Sequence, residues 1–121
     1  MLERLRSLTG EPDPSRLIVH GDLTGNVHLD RAATPVVLDI SPYLRPARWS
    51  EAIVQADALV WWDAPWSLAA AFTADAAGQD LLARALVFRL LTEPWERVGV
   101  GADGLRRMER VVGELAGPGT C

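Results

Sequence analysis

Five side chains that can bind a metal ion or move a proton lie within VHGDLTGNVHLD, residues 19–30. They are His20, Asp22, Asn26, His28 and Asp30. A further carboxylate, Asp39, follows thirteen residues after Asn26, at the end of the apolar run PVVLD. One carboxylate can accept a hydroxyl proton, while an amide oxygen and a second carboxylate can hold Mg²⁺, which prefers oxygen ligands. These residue types therefore predict part of a phosphoryl-transfer site.

Short strands must position these residues. Apolar runs with strand character are RLIV (16–19), VHL (27–29) and PVVLDI (35–40), and the first two flank the polar turn HGDLTGN. A hairpin of Val27–Leu29 against residues 36–39 would return Asp39 to the side of that turn. The chemistry-bearing residues are therefore expected at one end of a small hairpin.

Helical patterns occupy most of the remaining chain. Apolar residues recur at helical spacing in segments 1–8, 48–62, 65–72, 78–91 and 103–117. SPYLRPAR, residues 41–48, is expected to be irregular because its two prolines cannot donate to strand pairing. We therefore expect an α+β fold, in which a small β-hairpin unit with the polar loop is followed by a helical bundle, as a single domain over residues 1–121.

HGDLTGN followed by VVLDI resembles the catalytic loop and metal-binding strand of the aminoglycoside phosphotransferase family, whose members are relatives of the protein kinases. The resemblance implies that Asp22 is the catalytic base and that His20 braces the loop. It implies that Asn26 and Asp39 hold Mg²⁺ bound with ATP or GTP. The implied activity is γ-phosphoryl transfer to a small-molecule hydroxyl, and an acidic cleft would suit a cationic acceptor. The resemblance covers residues 1–62 well.

The sequence departs from the family pattern in two ways. Three residues separate Asp22 from Asn26 where the family usually has four, and a positive φ at Gly25 would absorb the difference. The chain also begins where the family's N-terminal nucleotide-binding lobe should have ended, and it contains no lysine to anchor phosphates. We therefore expect the larger C-terminal lobe alone, weakly active or inactive by itself. The alternative is a truncated, non-catalytic lobe that acts as an interaction or ligand-binding module.

Other residues have competing interpretations. A plain turn explains each residue of HGDLTGN singly, but not the ordered set with strands on both sides. Asp57 is either an exposed residue at a helix edge or, as in kinase-like folds, the aspartate that holds the catalytic-loop backbone. His28 and Asp30 are expected to face solvent without a role. GVGADG, residues 99–104, fits a dinucleotide motif, but the charged, proline-broken segment before it predicts an inter-helix loop.

Composition limits the partners and the location. The net charge is −4 with charges of both signs scattered, which predicts no nucleic-acid partner. The single cysteine, Cys121, excludes an internal disulfide framework. No apolar run is long enough for a membrane span and no signal peptide is evident, so we expect a cytoplasmic protein. Trp61, Trp62 and Trp66 are expected in the core and in lobe contacts, and surface left uncovered there predicts self-association or a missing-lobe partner.

Overall fold

Five α-helices and two small antiparallel sheets make up the part of the chain that the computed structural model describes, residues 1–93, 95 and 101–117. The helices are α1 (Leu2–Ser7), α2 (Trp49–Trp61), α3 (Ser67–Ala70), α4 (Ala76–Thr92) and α5 (Gly101–Ala116), with a 3₁₀ turn at Phe72–Ala74. The strands are β1 (Leu17–His20), β2 (Val27–Leu29), β3 (Pro35–Val37) and β4 (Pro42–Arg45). The expected α+β class is therefore confirmed.

The core is helical, with α2 at its centre. Helix α2 packs against both α4 and α5, and α1 packs against α4. The apolar face expected from the sequence of α2 is buried, namely Trp49, Ala52, Ile53, Ala56 and Val60. Leu5 of α1 and Met108 of α5 are fully buried in the same cluster. Removing this apolar surface from water is the main stabilising contribution to the fold.

Helix α4 begins at a well-defined cap. The Asp75 carboxylate accepts a hydrogen bond from the Gly78 N–H at 2.6 Å, which satisfies one of the backbone donors left free at a helix start. Only glycine fits at position 78, because the Cβ of any other residue would overlap the Phe72 carbonyl group. The helix is apolar on most sides, yet it also buries the charged side chain of Arg89.

The hairpin forms as expected from the sequence. Strand β2 pairs with β3 in the register Val27 to Val37 and Leu29 to Pro35, close to the predicted pairing with residues 36–39. Asp39 lies two residues after the end of β3, and the intervening Leu38 hydrogen-bonds to Asn26 of the loop, so the return of the chain places Asp39 near the loop that precedes β2.

The expectation of an irregular segment at residues 41–48 is wrong, because β4 pairs with β1. Pro42 is the first residue of β4 and faces His20, while Pro46 lies beyond the last residue of the strand. A proline at a strand end removes no required hydrogen bond, which is why the pairing survives both prolines.

The strands bury little of their apolar surface. Ile18 of β1 and Leu29 of β2 are 78% and 67% exposed, and Ile40, between β3 and β4, is 72% exposed. None of the helices in the described segments is long and apolar enough to cross a membrane. The apolar strand surface is consistent with self-association or a missing-lobe partner, and that expectation stays a prediction.

Candidate functional site

The segment between β1 and β2, residues 21–26, forms a tight loop. The Asn26 N–H donates to the carbonyl oxygen of Leu23 at 2.8 Å and closes a turn over Thr24 and Gly25. Gly25 has a φ of 79°, a left-handed conformation that residues with a side chain adopt only at a cost. The positive φ expected at Gly25 is therefore confirmed.

Gly21 lets the ring of Tyr43 approach the loop backbone. Gly21 is buried, and its N–H donates to the Ser41 carbonyl at 2.8 Å. A Cβ at Gly21 would overlap the Tyr43 ring. Phe88 of α4 packs edge-on against the same ring, with centroids 6.0 Å apart, so the ring has little room to move away. The glycine in His-Gly-Asp is therefore required by packing.

The imidazole of His20 connects the loop to the hairpin. Its Nδ1 accepts a hydrogen bond from the Asp22 N–H at 3.0 Å. Because a backbone N–H can only donate, the ring proton is on Nε2, which donates to the Leu38 carbonyl at 3.2 Å. The carbonyl group of His20 accepts a hydrogen bond from the Ser50 hydroxyl in the first turn of α2. His20 thus links the loop both to the strand end before Asp39 and to the core helix.

Asn26 holds the other side of Asp22. Its Nδ2 donates to the Asp22 carbonyl at 2.7 Å, which leaves the Asn26 amide oxygen available. The Leu38 N–H donates to the Asn26 carbonyl at 2.8 Å, so Asp39 comes directly after the residue that faces Asn26. Asp39 has a φ of 44°, which aspartate tolerates, and its carboxylate accepts no hydrogen bond from any described residue. That the two side chains share one metal ion stays a prediction.

The Asp22 carboxylate is half-exposed and, among the described residues, pairs with one cation. Its Oδ1 lies 3.2 Å from Nη2 of Arg89, and its side chain is 51% exposed. Within the described chain Oδ2 has no hydrogen-bond partner. One oxygen of Asp22 is therefore fixed by the protein and the other is free to meet a ligand.

Asp57 of α2 is the buried anchor of this arrangement. It is 2% exposed, and its two oxygens accept from Nε and Nη2 of Arg89, each at 2.7 Å. The same carboxylate accepts a hydrogen bond from the Thr24 hydroxyl of the loop at 2.6 Å. Of the two interpretations of Asp57, an exposed edge residue is wrong. It contacts the loop through a side-chain hydroxyl, not through the backbone.

Arg89 is held as a cation by the three carboxylates around it. Burial acts to lower its pKa, but the hydrogen bonds and charge of Asp57, helped by Asp22 and Glu93, raise that pKa above its ordinary value. Glu93 accepts from Nη1 of Arg89 at 3.1 Å. The guanidinium therefore stays charged at neutral pH and joins the loop to α2 and α4.

Sequence reasoning missed the roles of Arg89 and Thr24. The available signal was a pair of opposite charges, each interrupting an apolar helix: Arg89 within RALVFRLL and Asp57 within QADALV. A buried charge needs a partner of opposite sign, so two such interruptions predict a buried ion pair.

A small apolar cleft of about 310 Å³ lies beside the loop. Its lining comes from the loop, β2 and α2, namely Leu23, Thr24, Gly25, Val27, Val54, Ala58 and Trp62. Trp62 is 71% exposed, so its ring is available to a ligand. Trp61 instead stacks on Trp95 with centroids 4.9 Å apart, and Trp66 packs against the core. The expected core contacts are therefore found for Trp61 and Trp66; Trp62 lies outside the core, and its expected lobe contact stays a prediction.

Two other polar features lie outside the candidate site. His28 is exposed, and Asp30 accepts hydrogen bonds from the N–H groups of Ala32 and Thr34, each at 2.8 Å, which stabilises the hairpin turn. In GVGADG, residues 99–100 lie outside the described residues, and residues 101–104 form the start of α5. Both sheets in the described segments are antiparallel, so those segments contain no βαβ unit around this motif.

A metal ion held by Asn26 and Asp39 would need further ligands to complete its shell. Among the residues that the structure describes, no three or more His, Cys, Asp or Glu side chains are grouped so that they could hold a metal ion. Asn26 and Asp39 together offer only two side chains with hard oxygen donors, and a hard cation takes six or more ligands. No family model, curated protein or solved structure matches the chain.

Proposed function

We propose that the loop of residues 20–26 and the hairpin return to Asp39 form a site that transfers the γ-phosphoryl group of ATP or GTP to the hydroxyl of a small molecule. The observation that carries the proposal is the double constraint on Asp22, whose N–H is bound by His20 and whose carbonyl is bound by Asn26. A turn that only reverses the direction of the chain does not require two side chains that hydrogen-bond to the backbone of the same aspartate.

The fold assignment that goes with this function is the larger lobe of an aminoglycoside phosphotransferase-like kinase. It is supported by the loop between β1 and β2 and by the hairpin whose return strand leads into Asp39. It is also supported by Asp57, which holds the loop from the helix that follows. The exposed apolar residues Ile18 of β1 and Ile40 between β3 and β4 fit a lobe that packs against a second surface.

Asp22 would act on the acceptor. The acceptor hydroxyl would meet the free Oδ2 of Asp22 while Arg89 holds Oδ1. The acceptor oxygen then forms a bond to the γ-phosphorus, its proton passes to Asp22, and the bond from the γ-phosphorus to the bridging oxygen breaks. Since such a transition state needs little covalent help, the main contribution of Asp22 is orientation. The oxygen of Asp22 that Arg89 does not hold would favour a cationic acceptor, whose body would lie in the cleft beside Trp62.

Asn26 and Asp39 fit as ligands of Mg²⁺. The Nδ2 group of Asn26 is committed to the loop backbone, so the oxygen atom is the one left for a ligand. Amide and carboxylate oxygens are the donors that Mg²⁺ accepts, with substrate phosphates completing its shell. When bound, Mg²⁺ supplies charge neutralisation on the phosphate oxygens.

A ligand-binding module without catalysis is the second candidate. Two observations favour it: Arg89 already neutralises part of the Asp22 charge, and the chain contains no lysine that could clamp a phosphate. Under this alternative the same loop would bind a ligand without turning it over.

A phosphotransfer assay with ATP and GTP distinguishes the two candidates. The acceptors are several alcohols that also carry an amine, and the variants are Asp22→Asn and, as a matched control, the exposed Glu51→Gln. We expect slow Mg²⁺-dependent transfer that Asp22→Asn abolishes and Glu51→Gln leaves unchanged. Transfer that survives Asp22→Asn contradicts the proposed role of this residue. Binding without any transfer supports the module.

A further inference from the structure

A second cavity, of about 490 Å³, lies between α1, the segment before β1, the end of β4 and α4. Four arginines line it, namely Arg6, Arg16, Arg45 and Arg84. None of the residues proposed for phosphoryl transfer, His20, Asp22, Asn26 and Asp39, lies in its wall. The volume is within the range of small-molecule binding sites, roughly 300–1,000 Å³.

The charge of the cavity is opposite to that of the whole chain. The lining contains four arginines and two aspartates, Asp13 and Asp80, so its formal charge is +2 while the chain carries −4. The Asp80 carboxylate already has two hydrogen-bond donors, Nε of Arg84 at 2.8 Å and the Gly10 N–H at 2.7 Å. The Asp13 carboxylate accepts from the Ser15 N–H at 2.8 Å.

Among the described residues, three of the arginines form no ion pair with a carboxylate, although the charge of Arg16 acts on the neighbouring Asp13 carboxylate. The Arg16 guanidinium donates only to the carbonyl groups of Asp13 and Ser15, at 3.0 and 2.9 Å. The Arg45 guanidinium donates to the Leu44 carbonyl at 2.8 Å. The Arg6 side chain has no hydrogen-bond or charge partner within the described segments. These guanidinium groups keep unused N–H donors of the kind that bind carboxylate and phosphate in pairs.

Aromatic rings form the floor of the same cavity. Trp49 and Phe88 both line it and meet edge to face, with centroids 5.8 Å apart. The Arg45 guanidinium lies 5.9 Å from the Trp49 ring centroid and 5.7 Å from that of Tyr43. A cation over an aromatic floor offers both a charge partner and a surface for a flat apolar group.

We propose that this cavity binds a small organic anion with an aromatic body, such as an aryl phosphate. The anionic group is held by Arg45 with Arg16 and Arg6, and the ring packs against Trp49 and Phe88. The site is independent of the loop that carries Asp22.

Calorimetric titration with 1-naphthyl phosphate, without divalent metal, tests the proposal. Two further ligands test the two parts of the site separately: 1-naphthol has the ring without the charge, and inorganic phosphate has the charge without the ring. The test variant is Arg45→Gln, and its matched control is Arg31→Gln, an exposed arginine of the hairpin turn outside the cavity. A second pair of variants adds a negative charge. Leu91→Glu adds it at the rim of the cavity, where Leu91 is 66% exposed, and Leu68→Glu adds it outside the cavity, where Leu68 is 48% exposed.

We expect the aryl phosphate to bind at least about tenfold more tightly than either partial ligand, since both parts of the site contribute. Arg45→Gln should weaken it about tenfold or more by removing charge-assisted hydrogen bonds, whereas Arg31→Gln should change the affinity by less than about twofold. Leu91→Glu should weaken binding and Leu68→Glu should not. Equal losses in both arginine variants, equal binding of 1-naphthol, or no binding of the aryl phosphate would overturn the proposal.

Discussion

Replacing Arg89 with methionine should strongly destabilise the fold, because it leaves a buried carboxylate without a cation. Asp57 is 2% exposed, and in the described structure its remaining partner would be the Thr24 hydroxyl. Methionine keeps most of the aliphatic volume of the arginine stem, so the loss comes from charge and hydrogen bonds more than from packing.

The expected size of the effect follows from the burial of the pair. Breaking a buried ion pair from one side costs about 3–5 kcal/mol, which is a large part of the roughly 5–15 kcal/mol that stabilises a typical domain. Replacing both members by apolar residues removes the unpaired charge. The double variant Asp57→Leu/Arg89→Met should therefore be more stable than Arg89→Met alone, although it contains one more substitution.

Urea unfolding of the wild type, the two single variants and the double variant measures this coupling. Arg106→Met serves as the surface control, because Arg106 is 71% exposed and its pair with Asp103 should be worth only about 0–1 kcal/mol. A cost for Arg89→Met no larger than that of the control would refute the reasoning. A double variant less stable than Arg89→Met would refute it as well.

Two further variants test local features of the fold. Gly21→Ala should cost about 1–3 kcal/mol because its Cβ overlaps the Tyr43 ring, whereas Gly113→Ala in α5, with nothing near its Cβ, should not destabilise; urea unfolding of both checks this. A hydrogen bond from the Gly78 N–H, and next one from Arg48, hold the pKa of Asp75 below its ordinary value of 3.8. The ionised carboxylate therefore stabilises α4 at pH values above 3.8, and this stabilisation is lost as the pH falls through the lowered pKa. Thermal melts should show Asp75→Ala melting below the wild type at neutral pH, with a smaller difference in strong acid, where the carboxyl group has lost its charge but keeps an acceptor oxygen; a pH-independent difference would contradict the assigned cause.

Local signals in the sequence were sufficient to predict the hairpin and most helices. The apolar runs around Val27 and Val36 and the apolar spacing in residues 49–61 each lie within a short segment. Gly25 could be assigned a positive φ because the loop was one residue short and glycine is the residue that adopts it.

Features that depend on distant segments could not be predicted in the same way. The pairing of β1 with β4 joins residues far apart in sequence, and the two prolines near β4 argued against it. The sequence pattern indicates that Arg89 and Asp57 each need a charged partner, but the geometry of their pairing depends on how α4 packs against α2, which no local pattern specifies. The arginine cavity likewise gathers side chains from residue 6 to residue 91.

Paramagnetic relaxation with Mn²⁺ tests the proposed metal site most directly. Mn²⁺ takes the same oxygen ligands as Mg²⁺, and it is added to ¹⁵N-labelled protein with a non-hydrolysable ATP analogue. We expect selective broadening of the amide signals around Asn26 and Asp39 that Asp39→Ala abolishes and Glu51→Ala, at an exposed site of α2, preserves. Broadening that is absent at these two residues, or that is unchanged by Asp39→Ala, would contradict a phosphoryl-transfer site in this loop.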